Sequence, residues 1–365
     1  MKKVLLVESI HSSGVKILEE AGLGTIVSPS TDTATLAELA RDDVFGIIVR
    51  TSLLEGKVLE AGKQLKIVAR HGIGYNNIDL ETAGKLNILV TNVPDANSYS
   101  VAEYAIAVIL MLSRKIVPAD AALRAGRLSH PGASLPGLVK KLNLGGNELP
   151  RRRLGLIGLG KIGAQVAEMA FAFLHMEVIA YDPYRKEAPP YIKLAADINE
   201  VYGSADFISL HVPLTPETEN MINAGTLGRM KPSAYLINAS RGELIDDAAL
   251  ADALKSGQIA GAVLDVFRQE PPAVTGPLFS APNILLTPHI AGSTDEAVER
   301  LALGAARAVA DFYSGRKPAH IVNPQVWERV SSQCGESEIR GRICRARPVF
   351  AQGLKATFFG GNRHG

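Results

Sequence analysis

Gly158-Leu159-Gly160-Lys161-Ile162-Gly163 follows directly on the apolar run Leu154-Gly155-Leu156-Ile157. No other feature constrains the fold as much, because this pattern leaves a strand by a tight turn and opens a helix. The first glycine permits the turn, the second lets backbone approach a pyrophosphate, and the third lets the helix pack close on the strand. Unpaired N–H groups at the helix start then favour phosphate. A bare glycine cluster is often an ordinary turn, so the flanks decide. Ile162, Val166, Met169, Ala170 and Phe173 recur at helical spacing, and Val178-Ile179-Ala180-Tyr181 reads as the next strand. Asp182 ends it, 22 residues after Gly160, about where a ribose diol needs a carboxylate. The segment predicts a dinucleotide-binding unit with Gly158, Gly160, Lys161, Ile162, Gly163 and Asp182 on the cofactor. A carboxylate accepts two ribose hydroxyls and repels a 2′-phosphate, which favours NAD over NADP. Arg185 reads as a solvated loop arginine.

The rest of the 365-residue chain is long enough for two domains. Val4-Leu5-Leu6-Val7, Gly46-Ile47-Ile48-Val49, Lys66-Ile67-Val68-Ala69 and Ile88-Leu89-Val90 read as buried strands of a small parallel sheet. Ser100 to Lys115 is apolar nearly all round and predicts a helix buried between domains or subunits. After the glycine turn, 207–210, 235–238, 262–264 and 284–286 continue a doubly wound series. A helix over Thr294–Tyr313 is expected to return the chain to its first domain. The expected fold class is therefore α/β, with two Rossmann-like domains, the substrate domain discontinuous and the catalytic cleft between them. The expected boundaries are 1–99 and 291–330 for the substrate domain, 100–290 for the NAD-binding domain, and 331–365 for a poorly ordered tail without sustained period. Pro131 to Gly146 reads as a long surface loop.

Composition removes several function classes. A formal net charge of +2 gives no strong pull towards nucleic acid or anionic membrane. The basic stretch Arg151-Arg152-Arg153 reads as a solvated loop before a buried strand. The apolar run after Met1-Lys2-Lys3 is too short for a signal peptide. The longest such run, Ala105 to Leu112, falls well below the ~20 residues of a membrane span. A cytoplasmic protein is expected. Cys334 and Cys344, the two cysteines, have no metal-ligand constellation around them and make no disulfide framework.

Ligands of open α/β sheets bind beyond the carboxyl ends of the strands. Strand 235–238 is followed by Ala239-Ser240-Arg241-Gly242, strand 262–264 by Asp265 through Glu270-Pro271, and strand 284–286 by Thr287-Pro288-His289. Arg241 suits a substrate carboxylate and a polarised ketone. His289 suits proton donation as hydride reaches carbon, and Glu270 suits orienting the imidazole. Singly, each is more simply a structural histidine, a turn arginine and a loop glutamate. Three matched groups at three strand ends reverse that judgement.

Taken in order, the Gly158–Gly163 turn, Asn238-Ala239-Ser240-Arg241-Gly242, Leu264-Asp265-Val266-Phe267 with Glu270-Pro271, and Thr287-Pro288-His289-Ile290-Ala291-Gly292 resemble the D-isomer-specific 2-hydroxyacid dehydrogenases over about residues 1–328. The resemblance implies that Arg241, Glu270 and His289 are catalytic. It also implies that backbone N–H groups around Ile73 and Gly74, in Arg70 to Asp79, hold the substrate carboxylate, so that Ile73, Gly74, Arg241 and His289 are the expected substrate-binding residues. By the same resemblance Asp265 meets the nicotinamide carboxamide, and Val212, Pro213 and Thr215 border the adenine and phosphates. Pro94 to Ser98 matches the hinge of the family, the following helix its dimer helix, and a homodimer is implied. Asn76 stands where aspartate is more usual, and the loop 125–150 is longer than the family pattern.

The expected function is NAD-dependent, reversible hydride transfer between nicotinamide and a 2-keto or 2-hydroxy acid. Hydroxypyruvate or glyoxylate and 3-phosphoglycerate are the candidate substrates, with Pro94 to Ser98 leaning towards the latter. A phosphorylated substrate needs extra cations, for which Arg50, Arg70 and His71 are candidates. The alternative is an NAD(H)-sensing, corepressor-like binding protein on the same fold. No metal is implied.

Overall fold

Twelve short parallel strands build two sheets in this computed structural model, which describes residues 1–333 apart from Asp42 and Pro131. The first unit comprises Met1–Val93 and the chain from Ala302. Its strands are β1 (Lys3–Leu6), β2 (Gly24–Val27), β3 (Val44–Val49), β4 (Ile67–Arg70) and β5 (Leu89–Thr91), in spatial order β2-β1-β3-β4-β5. Val4, Leu5, Ile47, Ile48, Ile67 and Val68 are fully buried, as strands covered on both faces require. The returning helix brings Phe312 and Tyr313 against Phe45, with ring centroids 5.9 and 5.1 Å apart.

The second unit, Pro94–Leu301, carries β6 (Arg153–Ile157), β7 (Glu177–Tyr181), β8 (Ile192–Leu194), β9 (Phe207–Leu210), β10 (Tyr235–Asn238), β11 (Gly261–Leu264) and β12 (Ile284–Leu286). Their order is β12-β11-β10-β9-β6-β7-β8. Strand order reverses between β6 and β9, so the turns leaving these two strands open a crevice at the carboxyl edge. Both sheets are Rossmann-like, as the sequence predicts. Helix Ser98–Ser113 lays Ala102, Ala105 and Ile109 into a shared core with Val166, Ala167 and Ala170 of helix Lys161–Ala172.

Four expectations need adjustment. The units change at 93/94 and 301/302, whereas the sequence reading puts the passages at 99/100 and 290/291. Side chains explain the shift. Asp95 pairs with Lys161 at 2.9 Å, Arg300 Nε donates to the Ala96 carbonyl at 2.8 Å, and a Cβ on Gly292 would collide with Asn97. These contacts tie 94–97 and 291–301 to the second unit. The edge strands β2 and β8 escape the sequence reading, because Gly24 and Thr25 in one and Lys193 in the other break up their short apolar runs. The segment 131–146 is not all loop. It holds a helix, Leu135–Lys141, with Pro136 in its first turn and Lys140 and Lys141 in its last, an arrangement that suits fixed φ at the start and the dipole at the end. Helix Pro324–Gln333 covers the first residues of the expected tail; the remainder of that tail, with Cys334 and Cys344, lies outside the described residues. Among the described residues no helix is long and apolar enough to cross a membrane.

Candidate active site

The glycine turn is shaped by what it must avoid. Gly158 has φ +94°, and a Cβ there would strike the carbonyl of His211 at the end of β9. A Cβ on Gly163 would strike the carbonyl of Gly158, so the helix start is pressed against the turn. A Cβ on Gly160 would meet nothing within 4 Å, which leaves room beside the helix N-terminus for a pyrophosphate. Asp182 caps this arrangement: Oδ2 accepts the Leu159 N–H at 2.8 Å and Oδ1 the Tyr184 N–H at 2.9 Å. Each oxygen retains a lone pair for a ribose hydroxyl. Arg185 is exposed, in keeping with a solvated loop side chain. Across the crevice, Val212 is half-buried and Pro213 exposed, and Thr215 is held by its N–H to Thr218 Oγ1 at 2.8 Å. Thr218 also donates to the Pro213 carbonyl at 2.8 Å. It shapes this loop, yet nothing in its sequence position marks it.

Three strand ends deliver the polar groups. After β10, Asn238 Nδ2 donates to the Arg241 carbonyl at 2.7 Å and Oδ1 accepts the Ser240 N–H at 3.0 Å. Ser240 Oγ donates to the Leu210 carbonyl at 2.6 Å. The Arg241 turn is thus locked to its own strand and to β9. A Cβ on Gly242 would fall onto the backbone of Phe267 and Arg268, so the turn lies flush against the loop that carries Glu270. Burial lowers the pKa of the Arg241 guanidinium, and the charges of Glu243 and Glu270 oppose this.

After β11, Glu270 Oε1 accepts the Phe267 N–H at 3.2 Å, and Oε2 lies 2.7 Å from His289 Nδ1. A carboxylate only accepts, so the bond places a hydrogen on Nδ1 and leaves Nε2 for exchange with a substrate. Burial pushes the Glu270 carboxyl up. The hydrogen bond and charge of His289, the Phe267 N–H and the Arg241 charge outweigh it, and the net shift is downward. A depressed carboxyl stabilises the fold above its ordinary pKa range, and that stability is lost as pH falls through the folded value. Glu270→Gln should therefore melt earlier than the parent at neutral pH, with the gap closing below about pH 4. Thermal melts across the acid range check this; a gap that does not vary with pH would mean that the carboxylate charge is not its source.

After β12, His289 takes a left-handed φ of +55°. Asp265, assigned by resemblance to the nicotinamide amide, is fully buried. Its carboxylate accepts the Thr287 hydroxyl at 2.6 Å and the N–H groups of Ile290 and Ala291 at 2.8 Å each. Those bonds shape the loop on which His289 stands. The structure thus brings Arg241, Glu270 and His289 together at one sheet edge, with the glycine turn at the same edge.

Within the first unit, Ile73 and Gly74 follow β4. Asn92 Nδ2 donates to the Ile73 carbonyl at 2.7 Å, and Asn77 Nδ2 to the carbonyls of Arg50 and Ser52 at 3.1 and 2.7 Å. His71 does not meet the expectation of an extra cation. It is 3% exposed, and burial first, with the Arg50 charge second, pushes its pKa down to about 4. It is neutral at physiological pH, which leaves Arg50 and Arg70 as the cations of that segment.

A family model described as the NAD binding domain of D-isomer specific 2-hydroxyacid dehydrogenases matches residues 106–291. A D-3-phosphoglycerate dehydrogenase of Methanocaldococcus jannaschii is 39% identical over 327 residues, 88% of this chain and 60% of that protein. The chain thus spans less than two thirds of the length of that relative. A glyoxylate reductase of Thermofilum pendens is 35% identical over 332 residues, 89% of this chain and 95% of that protein. Among solved structures, an NADPH-dependent glyoxylate/hydroxypyruvate reductase of Sinorhizobium meliloti superposes with a TM-score of 0.77 at 30% identity, covering 88% of this chain and 98% of the other.

Proposed function

The chain belongs to the D-isomer-specific 2-hydroxyacid dehydrogenase family, and from that premise we propose that it transfers a hydride reversibly between NAD and a 2-keto or 2-hydroxy acid. One observation carries the proposal: Glu270 and His289 are hydrogen-bonded at 2.7 Å beside Arg241, on the sheet edge that bears the glycine turn. Nicotinamide supplies the hydride in one direction and takes it in the other. His289 Nε2 gives a proton to the ketone oxygen during reduction and removes it from the hydroxyl during oxidation. Glu270 orients the ring and stabilises its cation. Arg241 binds the substrate carboxylate and polarises the ketone, and the backbone around Ile73 and Gly74 is assigned to the same carboxylate.

The cofactor is held by Gly158, Gly160, Lys161, Ile162 and Gly163 at its phosphates and by Asp182 at its ribose, with Val212, Pro213 and Thr215 along the opposite wall. Asp182 underlies the choice of NAD, since both its oxygens stand at the turn and a 2′-phosphate there meets negative charge. Asp182→Ala should narrow the preference of NADH over NADPH by roughly tenfold or more, the scale of one lost charge-assisted contact. Dissociation constants for the two cofactors check it, and an unaltered ratio would remove Asp182 from the ribose site. The family reading also carries a homodimer, which sedimentation tests directly.

The deciding experiment follows oxidation of NADH and NADPH against glyoxylate, hydroxypyruvate, pyruvate and 3-phosphohydroxypyruvate. Turnover strongly favouring one acid supports the activity and identifies the substrate. If 3-phosphohydroxypyruvate is preferred, Arg50 and Arg70 become the phosphate ligands to replace. Tight NADH binding without turnover on any of the four would replace this reading with that of a cofactor-sensing protein.

A further inference from the structure

Tyr104 reaches the site from helix Ser98–Ser113 and not from a strand end. Its hydroxyl lies 2.6 Å from Thr287 Oγ1. Thr287 has one hydroxyl proton and donates it to Asp265 Oδ1 at 2.6 Å, so Tyr104 is the donor in the first bond. Beyond the carboxylate the chain continues into backbone. Asp265 Oδ1 also accepts the Ile290 N–H, Oδ2 the Ala291 N–H, and the Asp265 carbonyl the His289 N–H, each at 2.8 Å. Three consecutive N–H groups, beginning at His289, therefore end on one buried aspartate.

That concentration has a physical reason. A non-glycine residue with φ near +55° sits in a sparsely populated region and stays there only where its surroundings over-determine it. Asp265 does so for His289. Its own orientation depends on the Thr287 hydroxyl, and the rotation of that hydroxyl is restrained by the phenol. We propose that Tyr104 is a positioning residue for His289, acting through Thr287 and Asp265 to hold the imidazole at the reacting edge. Burial pushes the Tyr104 phenol up to about 12, so it keeps its proton throughout the range in which an imidazole exchanges one. It is a fixed donor and not a second acid. The inference rests on the reading of His289 as the acid–base group.

Tyr104→Phe keeps the ring and deletes the donor. The expected result is a roughly tenfold fall in kcat on the preferred 2-keto acid, the scale of a sub-ångström misplacement of a reacting group. KM, NADH affinity and melting temperature should stay close to parental values. Amide hydrogen exchange at Ile290 and Ala291 should accelerate several-fold in the cofactor-free protein, with the amides of helix Ser98–Ser113 unaffected. Thr287→Val should reproduce the kcat effect, and the double variant should add little to either, as expected of one coupled chain. Parental kcat in Tyr104→Phe overturns the proposal. So does a kcat loss matched by losses of NADH affinity and melting temperature, which marks a merely structural role. Should the parent protein turn over no 2-keto acid, the functional reading fails by itself. The exchange measurement still decides the positioning claim, since unchanged exchange at Ile290 and Ala291 overturns it.

Discussion

His289→Ala should bind NADH as the parent does and turn over its 2-keto acid about 100-fold more slowly or worse, the usual scale for a lost general acid. The separation follows from where the side chain stands. Its Nδ1 is committed to Glu270 at 2.7 Å, and its backbone is committed to Asp265. The glycine turn and Asp182, which carry the cofactor in this reading, make none of those bonds. Deleting the imidazole therefore removes the proton donor without unmaking the nucleotide crevice. It also leaves Glu270 without its strongest partner, so the carboxyl pKa should move up towards the value that burial alone favours. Stopped-flow hydride transfer with equilibrium NADH titration separates the two effects. Unchanged turnover would remove His289 from the chemistry.

Arg241→Lys should cost about 100- to 1,000-fold in kcat/KM although the charge is kept, a magnitude typical of removing one preorganised electrostatic group. Lysine is a point charge on a flexible stem and cannot offer the planar fork that grips a carboxylate while a second N–H polarises the ketone. The site is also specific for the longer group. Arg241 Nη1 donates to the Ser240 carbonyl at 2.6 Å, and the turn is locked by Asn238 on one side and by the close approach of Gly242 to the Phe267–Arg268 backbone on the other. An ammonium there loses both the anchor and the reach. Because Glu243 and Glu270 still need a countercharge, the lysine variant should fold. Steady-state kinetics with a matched thermal melt check this, and a kcat/KM within a few-fold of the parent would show that a single positive charge suffices.

Legibility followed the range of each interaction. The glycine turn could be read because its constraints are local: left-handed backbone at Gly158 and close helix packing at Gly163 restrict residue type wherever they occur. Arg241, Glu270 and His289 could be read because parallel strands align their carboxyl ends, so the residues following three strands share an edge by topology alone. Whether the candidate His71 carries charge is not legible, since its charge state depends on burial and on Arg50, twenty-one positions away in sequence. Tyr104 was not visible at all. Within an apolar helix a tyrosine has no signature that distinguishes a core ring from a donor aimed at Thr287.

The class of fold, the glycine turn and the three side chains proposed to react are legible in the sequence, because periodicity, turn sterics and strand order act over short stretches of chain. Tertiary structure alone decided the protonation state of His71, the allegiance of 94–97 to the second unit and the clamp that holds His289 in a left-handed backbone. Each of those depends on desolvation or on hydrogen bonds between groups far apart in sequence, whose energies exist only once the chain has packed.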